Sequence, residues 1–247
     1  MDVKDSPSNR GKNPALASRT VVILQPSYWP WRGYFEQIRR ADHFVFLDNV
    51  QFDKRGWRNR NRIKTSAGPA WFSVPVAQKG RRHQRISEVE IVNDRPWGNK
   101  HIHLLRHNYS KTAHYAYYAR EVDELLGRRW QRFLDLAVTT TLWAAATLGI
   151  HTNFHTASDL TDIDDPTGRL VSICSRLGAT RYLTGPAAKA YLERVQFEDA
   201  GIEIEFASHD YPAYPQLHGA FEDHMSILDL LFNCGPESLQ YLHGTTS

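Results

Sequence analysis

Thr20-Val-Val-Ile-Leu24, then Gln25-Pro-Ser-Tyr-Trp-Pro-Trp-Arg-Gly33, then residues 34–40, then His43-Phe-Val-Phe-Leu47: the order of these four pieces decides the fold. The first is a β-branched apolar run and reads as a strand buried on both faces. Pro26 ends it, because a proline nitrogen has no proton to give to a ladder. Residues 34–40 read as a short helix with Phe35 and Ile38 on one face, and 43–47 as a second strand ending at Asp48. Strand, helix and strand in about thirty residues make a βαβ unit, for which parallel pairing is the default.

Working outward, the same alternation returns after residue 150. Strands are expected at 153–156, 181–184 and 202–206, and helices at 167–177, 186–192 and 225–232. Between the two halves lie helices at 96–109, opened by Pro96 at a natural first position, at 115–126 and at 130–148. The last has Phe133, Leu134, Ala137, Val138, Leu142 and Ala145 on a 3.6-residue stripe. The fold class is therefore α/β: a Rossmann-like, doubly wound, mainly parallel sheet with a helical middle insertion or cap over about 96–149. Residues 49–64 read as too polar for a core element, with Phe52, Trp57 and Ile63 as anchors. Residues 71–76 and 87–92 read as two strands joined by the basic tip 79–85.

With 247 residues, one α/β domain over 19–245 after a disordered tail (1–18) is the expected organisation. A net charge of +3 permits an anionic partner without demanding a nucleic acid. Cys174 and Cys234 lie in apolar-periodic stretches and form neither a disulfide framework nor a zinc site. The twelve histidines show no ligand spacing, so no metal and no cofactor are expected. No apolar run reaches the ~20 residues of a membrane span. The polar N-terminus lacks a signal-peptide core, and a cytoplasmic location follows as the expectation.

Ligands of open parallel sheets bind at the carboxyl ends of strands, and four polar, aromatic loops leave such ends. Gln25 is a polar side chain just past a buried strand, suited either to hold a ligand or to tie the loop. Tyr28, Trp29 and Trp31 sit in a proline-stiffened loop and could form a stacking wall or pack beneath the cap. Asp48 could act as a general base or cap the next turn. Arg60, Arg62 and Lys64 alternate in Asn59-Arg-Asn-Arg-Ile-Lys64, so an extended backbone would give them one face, suited to a phosphate or to solvent. Gly185-Pro-Ala-Ala-Lys189 is a glycine-led strand-to-helix turn, a common anion site. The fourth loop runs from Ser208 to Tyr214.

Gln25-Pro-Ser-Tyr-Trp-Pro-Trp-Arg-Gly-Tyr-Phe35, Phe46-Leu-Asp-Asn-Val-Gln51 and Asn59-Arg-Asn-Arg-Ile-Lys64 resemble the opening of WbqC-like proteins. The resemblance continues through 71–76, Tyr109-Ser-Lys111, Tyr182-Leu-Thr-Gly185 and Ser226-Ile-Leu-Asp-Leu-Leu-Phe-Asn-Cys-Gly235. It implies work alongside enzymes that build surface polysaccharides, decorated amino sugars or other specialised products. The start of the chain is also similar to HIGH-motif nucleotidyltransferases, with Tyr34 in place of the second His and Trp31 or Arg32 in place of the first. That departure leaves the likeness implying the fold rather than adenylation.

The function these readings imply is an acyl or aminoacyl transferase making an amide with an amine of a sugar-like acceptor. Asp48 would be the base, and Gln25 and Tyr28 would orient the amine. Trp31, Tyr34, Asn59, Arg60, Lys64, Gly185, Lys189 and Tyr214 would hold substrate or phosphate. The expected partners are a small-molecule amine and an activated donor, either a coenzyme A or carrier-protein thioester or an aminoacyl-tRNA ester, with no membrane. An ATP-dependent ligase or nucleotidyltransferase, and a non-catalytic sugar-nucleotide or RNA-binding module, are the competing readings.

Overall fold

The computed structural model describes residues 18–243 other than Tyr191 and His209. The disordered tail expected for residues 1–18 lies, Ser18 aside, outside the described residues, as do residues 244 and 245 of the expected domain.

The chain opens with β1 (Thr20–Leu24), α1 (Arg32–Arg40) and β2 (His43–Phe46). A hairpin of β3 (Arg60–Thr65) and β4 (Gly68–Ser73) follows. The helices α2 (Trp97–Tyr109), α3 (Tyr115–Gly127) and α4 (Phe133–Thr147) come next. Alternation then resumes with β5 (Asn153–Thr156), α5 (Pro166–Arg176), β6 (Arg181–Thr184), α6 (Arg194–Asp199), β7 (Glu203–Phe206) and α7 (Ile227–Cys234).

Five strands form one parallel sheet in the order β5-β2-β1-β6-β7. β1 lies in the middle, with Val22 opposite Phe44 on one side and Leu183 on the other. Successive side chains of a strand point to opposite faces, so β1 feeds two cores. Val21 and Ile23 pack with Val45, Ile173 and Phe197 under α5 and α6. Val22 joins Phe35, Phe44, Leu183 and Leu231 in the larger core shared by α1, α2, α3, α4 and α7. Burying each such side chain stabilises the fold by roughly 1.5–3 kcal/mol. The α/β fold with a mainly parallel sheet holds, and helices cover both of its faces.

Strand order reverses between β1 and β6: the chain leaves β1 toward β2 and β5, then returns on the other side. Loops diverge at such a point and leave a crevice at the carboxyl edge.

Two expectations fail in the region before the cap. The polar run 59–64 is a core strand, paired with β4 across a two-residue turn that Gly68 (φ +100°) completes. Its buried polar groups are acceptable because they are bonded: Asn61 Nδ2 donates to the Trp29 carbonyl and Lys64 N–H to the Tyr109 hydroxyl at 2.9 Å. Residues 87–92 form no strand: 86–88 are a 3-10 turn, and the expected alternation survives only in the burial of Val89 and Ile91. Among the described residues, 89–92 pair in ladder fashion through isolated bridges, Val76 with Ile91 and Glu90 with Arg132. Alternation describes an extended chain, and a strand also needs a partner. Beyond β6 a short 3-10 turn, Pro186–Ala190, replaces the expected helix 186–192, and α6 was not foreseen.

Candidate active site at the strand reversal

At the carboxyl ends of β1 and β6 lies a cavity of about 240 Å³. Gln25, Trp31, Tyr34, Arg58, Thr184 and Gly185 are among its walls. The local chain explains how they converge. Trp29 is fully buried with φ +43°, a conformation costly for a bulky residue. That turn sends Tyr28 and Trp29 into the cap, while Trp31 lines the cavity. Trp31 lies over Gly33, where a Cβ would come within 2.4 Å of its ring.

The Tyr34 hydroxyl donates to the Gln25 carbonyl at 3.2 Å. Burial raises its phenol far above the ordinary range, with Arg58 opposing, so Tyr34 is a neutral donor and not a base. Arg58 Nη1 donates to Ser27 Oγ at 2.9 Å, bringing a guanidinium to the wall. The Gln25 side-chain amide takes no hydrogen-bond partner among the described residues. None of the described residues lining the cavity is a carboxylate, histidine or cysteine. The imidazole of His224 stacks on Trp31 at 4.8 Å, with its Nδ1 3.7 Å from Asp223.

A buried polar network holds the segment 211–224 beside this cavity. Arg32, 3% exposed, donates to the Pro212 and Tyr211 carbonyls and to Asp223 Oδ1 at 3.0 Å. Lys64, 2% exposed, donates to Gln216 Oε1 at 3.1 Å and to the Gly219 and Ala220 carbonyls. Asp229 is fully buried and accepts from Tyr109 (2.6 Å), Tyr214 (2.7 Å) and Gln216 (2.7 Å). Burial raises its carboxyl above the usual range, and those three bonds and Lys64 pull it back.

The candidate residues therefore separate. Gln25, Trp31, Tyr34 and Gly185 meet at the cavity. Tyr28 does not: it is fully buried, with its hydroxyl 2.8 Å from His101 Nδ1 and its ring against Phe72 and Trp97. Asp48 is 1% exposed and accepts the Ser158 N–H at 3.0 Å, which ties the end of β2 to the turn after β5. Asn59 donates to the Val74 carbonyl, inside the hairpin's own bonding. Arg60 donates to the Gly56 and Arg55 carbonyls, and Lys64 and Tyr214 belong to the network around Asp229. Lys189 is exposed and lies 4.9 Å from the centre of the Phe206 ring. Arg60, Arg62 and Lys64 alternate along the extended β3, but they are held apart in use. Arg60 and Arg62 lie over Trp71 and Trp57, while Lys64 is buried and bonds to Gln216 in the segment whose Asp223 carbonyl Arg62 also reaches. Both cysteine thiols are pushed up to about 12 by burial, which removes them as nucleophiles.

Arg58 and His224 were missed, and so was the Asp229 network. Arg58 was hidden by the more regular alternation beside it. Tyr109 and Asp229 both lie in strings that bear the family resemblance, which was the available signal.

The model of the WbqC-like protein family matches residues 25–241. The chain belongs to the WbqC-like family. An uncharacterized protein of Mycobacterium tuberculosis (strain ATCC 25618 / H37Rv), Rv1507c, is 41% identical over 226 residues, covering 91% of this chain and 97% of that one. No solved structure matches. The family strings Gln25–Phe35 and Tyr182–Gly185 both supply lining of the cavity. Among the described residues no helix is long and apolar enough to cross a membrane, and no cluster of three or more metal-ligating side chains occurs.

Proposed function

We propose that this WbqC-like protein is a transferase that joins an already activated acyl or aminoacyl group to an amine of a sugar-like acceptor. The observation that supports this reading is the cavity wall itself. It offers a guanidinium, an amide without a partner among the described residues and part of an indole ring, but no acid–base pair. Such a wall suits holding and aligning two reactants, which can supply roughly 7–11 kcal/mol of a barrier. It suits poorly a reaction whose donor must first be activated. In the proposed step the amine nitrogen attacks the donor carbonyl and the C–N bond forms. The C–S or C–O bond to the carrier then breaks, and the carrier leaves as thiol or alcohol with the amine's proton. Arg58 anchors an anionic group of the donor, Gln25 orients the amine, and the Trp31 ring gives the sugar or acyl chain an apolar contact.

Asp48 is bonded away from the cavity and has no part in this scheme. The amine must then arrive as its free base. The expected kcat/KM rises tenfold per pH unit up to the acceptor amine's own pKa, without a second limb. His224→Asn should leave that profile in place, whereas its collapse would make His224 the base. Coenzyme A thioesters and nucleotide-linked amino sugars are the probes to begin with. Release of free thiol without pyrophosphate is the expected result. A second reading, nucleotide-dependent ligation, is favoured only by the position of the cavity at the strand reversal, where nucleotides often bind in such sheets. Pyrophosphate released from ATP would carry that reading instead.

A further inference from the structure

The net charge of the whole chain conceals a dense local one. Six of the eleven residues 54–64 are Lys or Arg, and none is acidic. Lys54, Arg55, Arg60, Arg62 and Arg82 have no carboxylate at ion-pair distance among the described residues. The bonds their side chains make go to carbonyls: Lys54 to Gln78, Arg60 to Gly56 and Arg55, Arg62 to Asp223 and His224; the Asp53 carboxylate accepts only the backbone N–H of Arg55. Carbonyl bonds fix where a cation sits without neutralising it. Lys54, Arg55 and Arg82 line one surface depression, with Asp53 among them, and Arg60 joins it through its bond to the Arg55 carbonyl.

Two large aromatic rings stand exposed on it. Trp57 and Trp71 are 45% and 44% exposed and meet edge to face at 4.6 Å. Arg60 lies 4.7 Å over the Trp71 ring, and Arg62 lies 5.2 Å over Trp57. Half-exposed indoles cost solvation, and nothing in the core requires them there. Stacked guanidiniums hold the rings in fixed orientation with further cations around them. An acidic protein surface would use the charges and could cover the indoles, but it would not need flat rings spaced among cations. A single strand of nucleic acid uses both, its phosphates meeting the cations and its bases meeting the rings.

We propose that the face formed by Trp57, Trp71, Arg60, Arg62, Lys54 and Arg55 binds single-stranded RNA. The face lies outside the cavity, so the proposal does not rest on the transferase reading. Arg58, in the same stretch, belongs to the cavity wall and not to this face.

The test is an anisotropy titration of the full chain with a labelled twelve-nucleotide oligouridylate in 50 mM salt. Saturable binding is expected, weakening with salt at a log–log slope of about −2 or steeper, from roughly 0.7 per phosphate contact on single strands. The Trp57→Ala/Trp71→Ala variant should bind at least about tenfold more weakly, from the ~1–3 kcal/mol that one stacked base contributes. Trp71→Phe, which keeps a ring, should recover most of that loss. Arg60→Gln/Arg62→Gln should flatten the salt slope. Absence of saturable binding would overturn the proposal, as would equal binding by the double tryptophan variant. Equal affinity for inorganic polyphosphate would also overturn it, since that polymer has no bases. Equal affinity for polyglutamate would overturn it in favour of an acidic protein partner.

Discussion

Gly33 bears no side chain because the Trp31 indole occupies the space a Cβ would need. Trp31 is a cavity wall, so this glycine belongs to the site as much as to α1. Gly33→Ala should push the ring out of its stack on His224 while the helix stays formed. A loss of cavity-ligand affinity of about tenfold, with a thermal midpoint within a few degrees of wild type, is the expected outcome in a binding titration. His101 makes a second prediction at this scale. It is buried against Tyr28, Phe72 and Trp97, and burial lowers its imidazole from the ordinary range to about 4. The unfolded chain takes up a proton near its ordinary pKa of about 6.5, while the folded chain holds out to about 4. Stability contributed by neutral His101 is therefore complete above about 6.5 and is lost as pH falls from there toward 4. That loss amounts to about 3 kcal/mol. Urea unfolding at pH 7 and pH 4.5 should show it, and His101→Gln should remove this component of the pH dependence.

The segment 211–224 has almost no regular structure, yet Arg32 from α1, Lys64 from β3 and Asp229 from α7 all bond to it. It is held by buried polar groups, which are expensive to leave half-satisfied. Lys64→Met should cost about 3 kcal/mol, because the carbonyls and the Gln216 oxygen lose a buried donor. Limited proteolysis should then cut within 211–224 before anywhere in the sheet. In the cap, α2 and α3 approach so closely that a Cβ on Gly98 would lie 2.0 Å from the Leu126 carbonyl. Backbone cannot yield as a side-chain tip does. Gly98→Ala should destabilise the fold by about 2 kcal/mol, read as a lowered urea midpoint. The helices and parallel strands were legible in the sequence because their apolar spacing speaks directly of a buried face. β3 was not, since Asn61 and Lys64 are polar residues whose partners lie far along the chain. Spacing carries no trace of such a partner, and the same limit hid the role of Asp229.

Across the molecule, the parallel sheet and its reversal between β1 and β6 locate the cavity. Loops after β1 and β6 were expected to line a site because of where they leave the strands, and Gln25, Trp31, Tyr34 and Gly185 do meet there. Tyr28 and Asp48 sit in equally suggestive places along the chain, but the positive φ of Trp29 and the Ser158 N–H direct them elsewhere. A position after a strand puts a residue near the carboxyl edge without fixing which way its side chain turns. The proposed ligand site is this cavity, with Arg58 as its anion anchor. Fluorine NMR of the chain labelled with 5-fluorotryptophan, with the Trp31 resonance assigned by Trp31→Phe, reports on ligands in that cavity. The titrants are coenzyme A thioesters and nucleotide-linked amino sugars. A saturable shift of the Trp31 resonance, weakened at least about tenfold by Arg58→Gln, is the predicted result. Shifts confined to other tryptophans, or an unmoved Trp31 across the whole panel, would contradict the assignment.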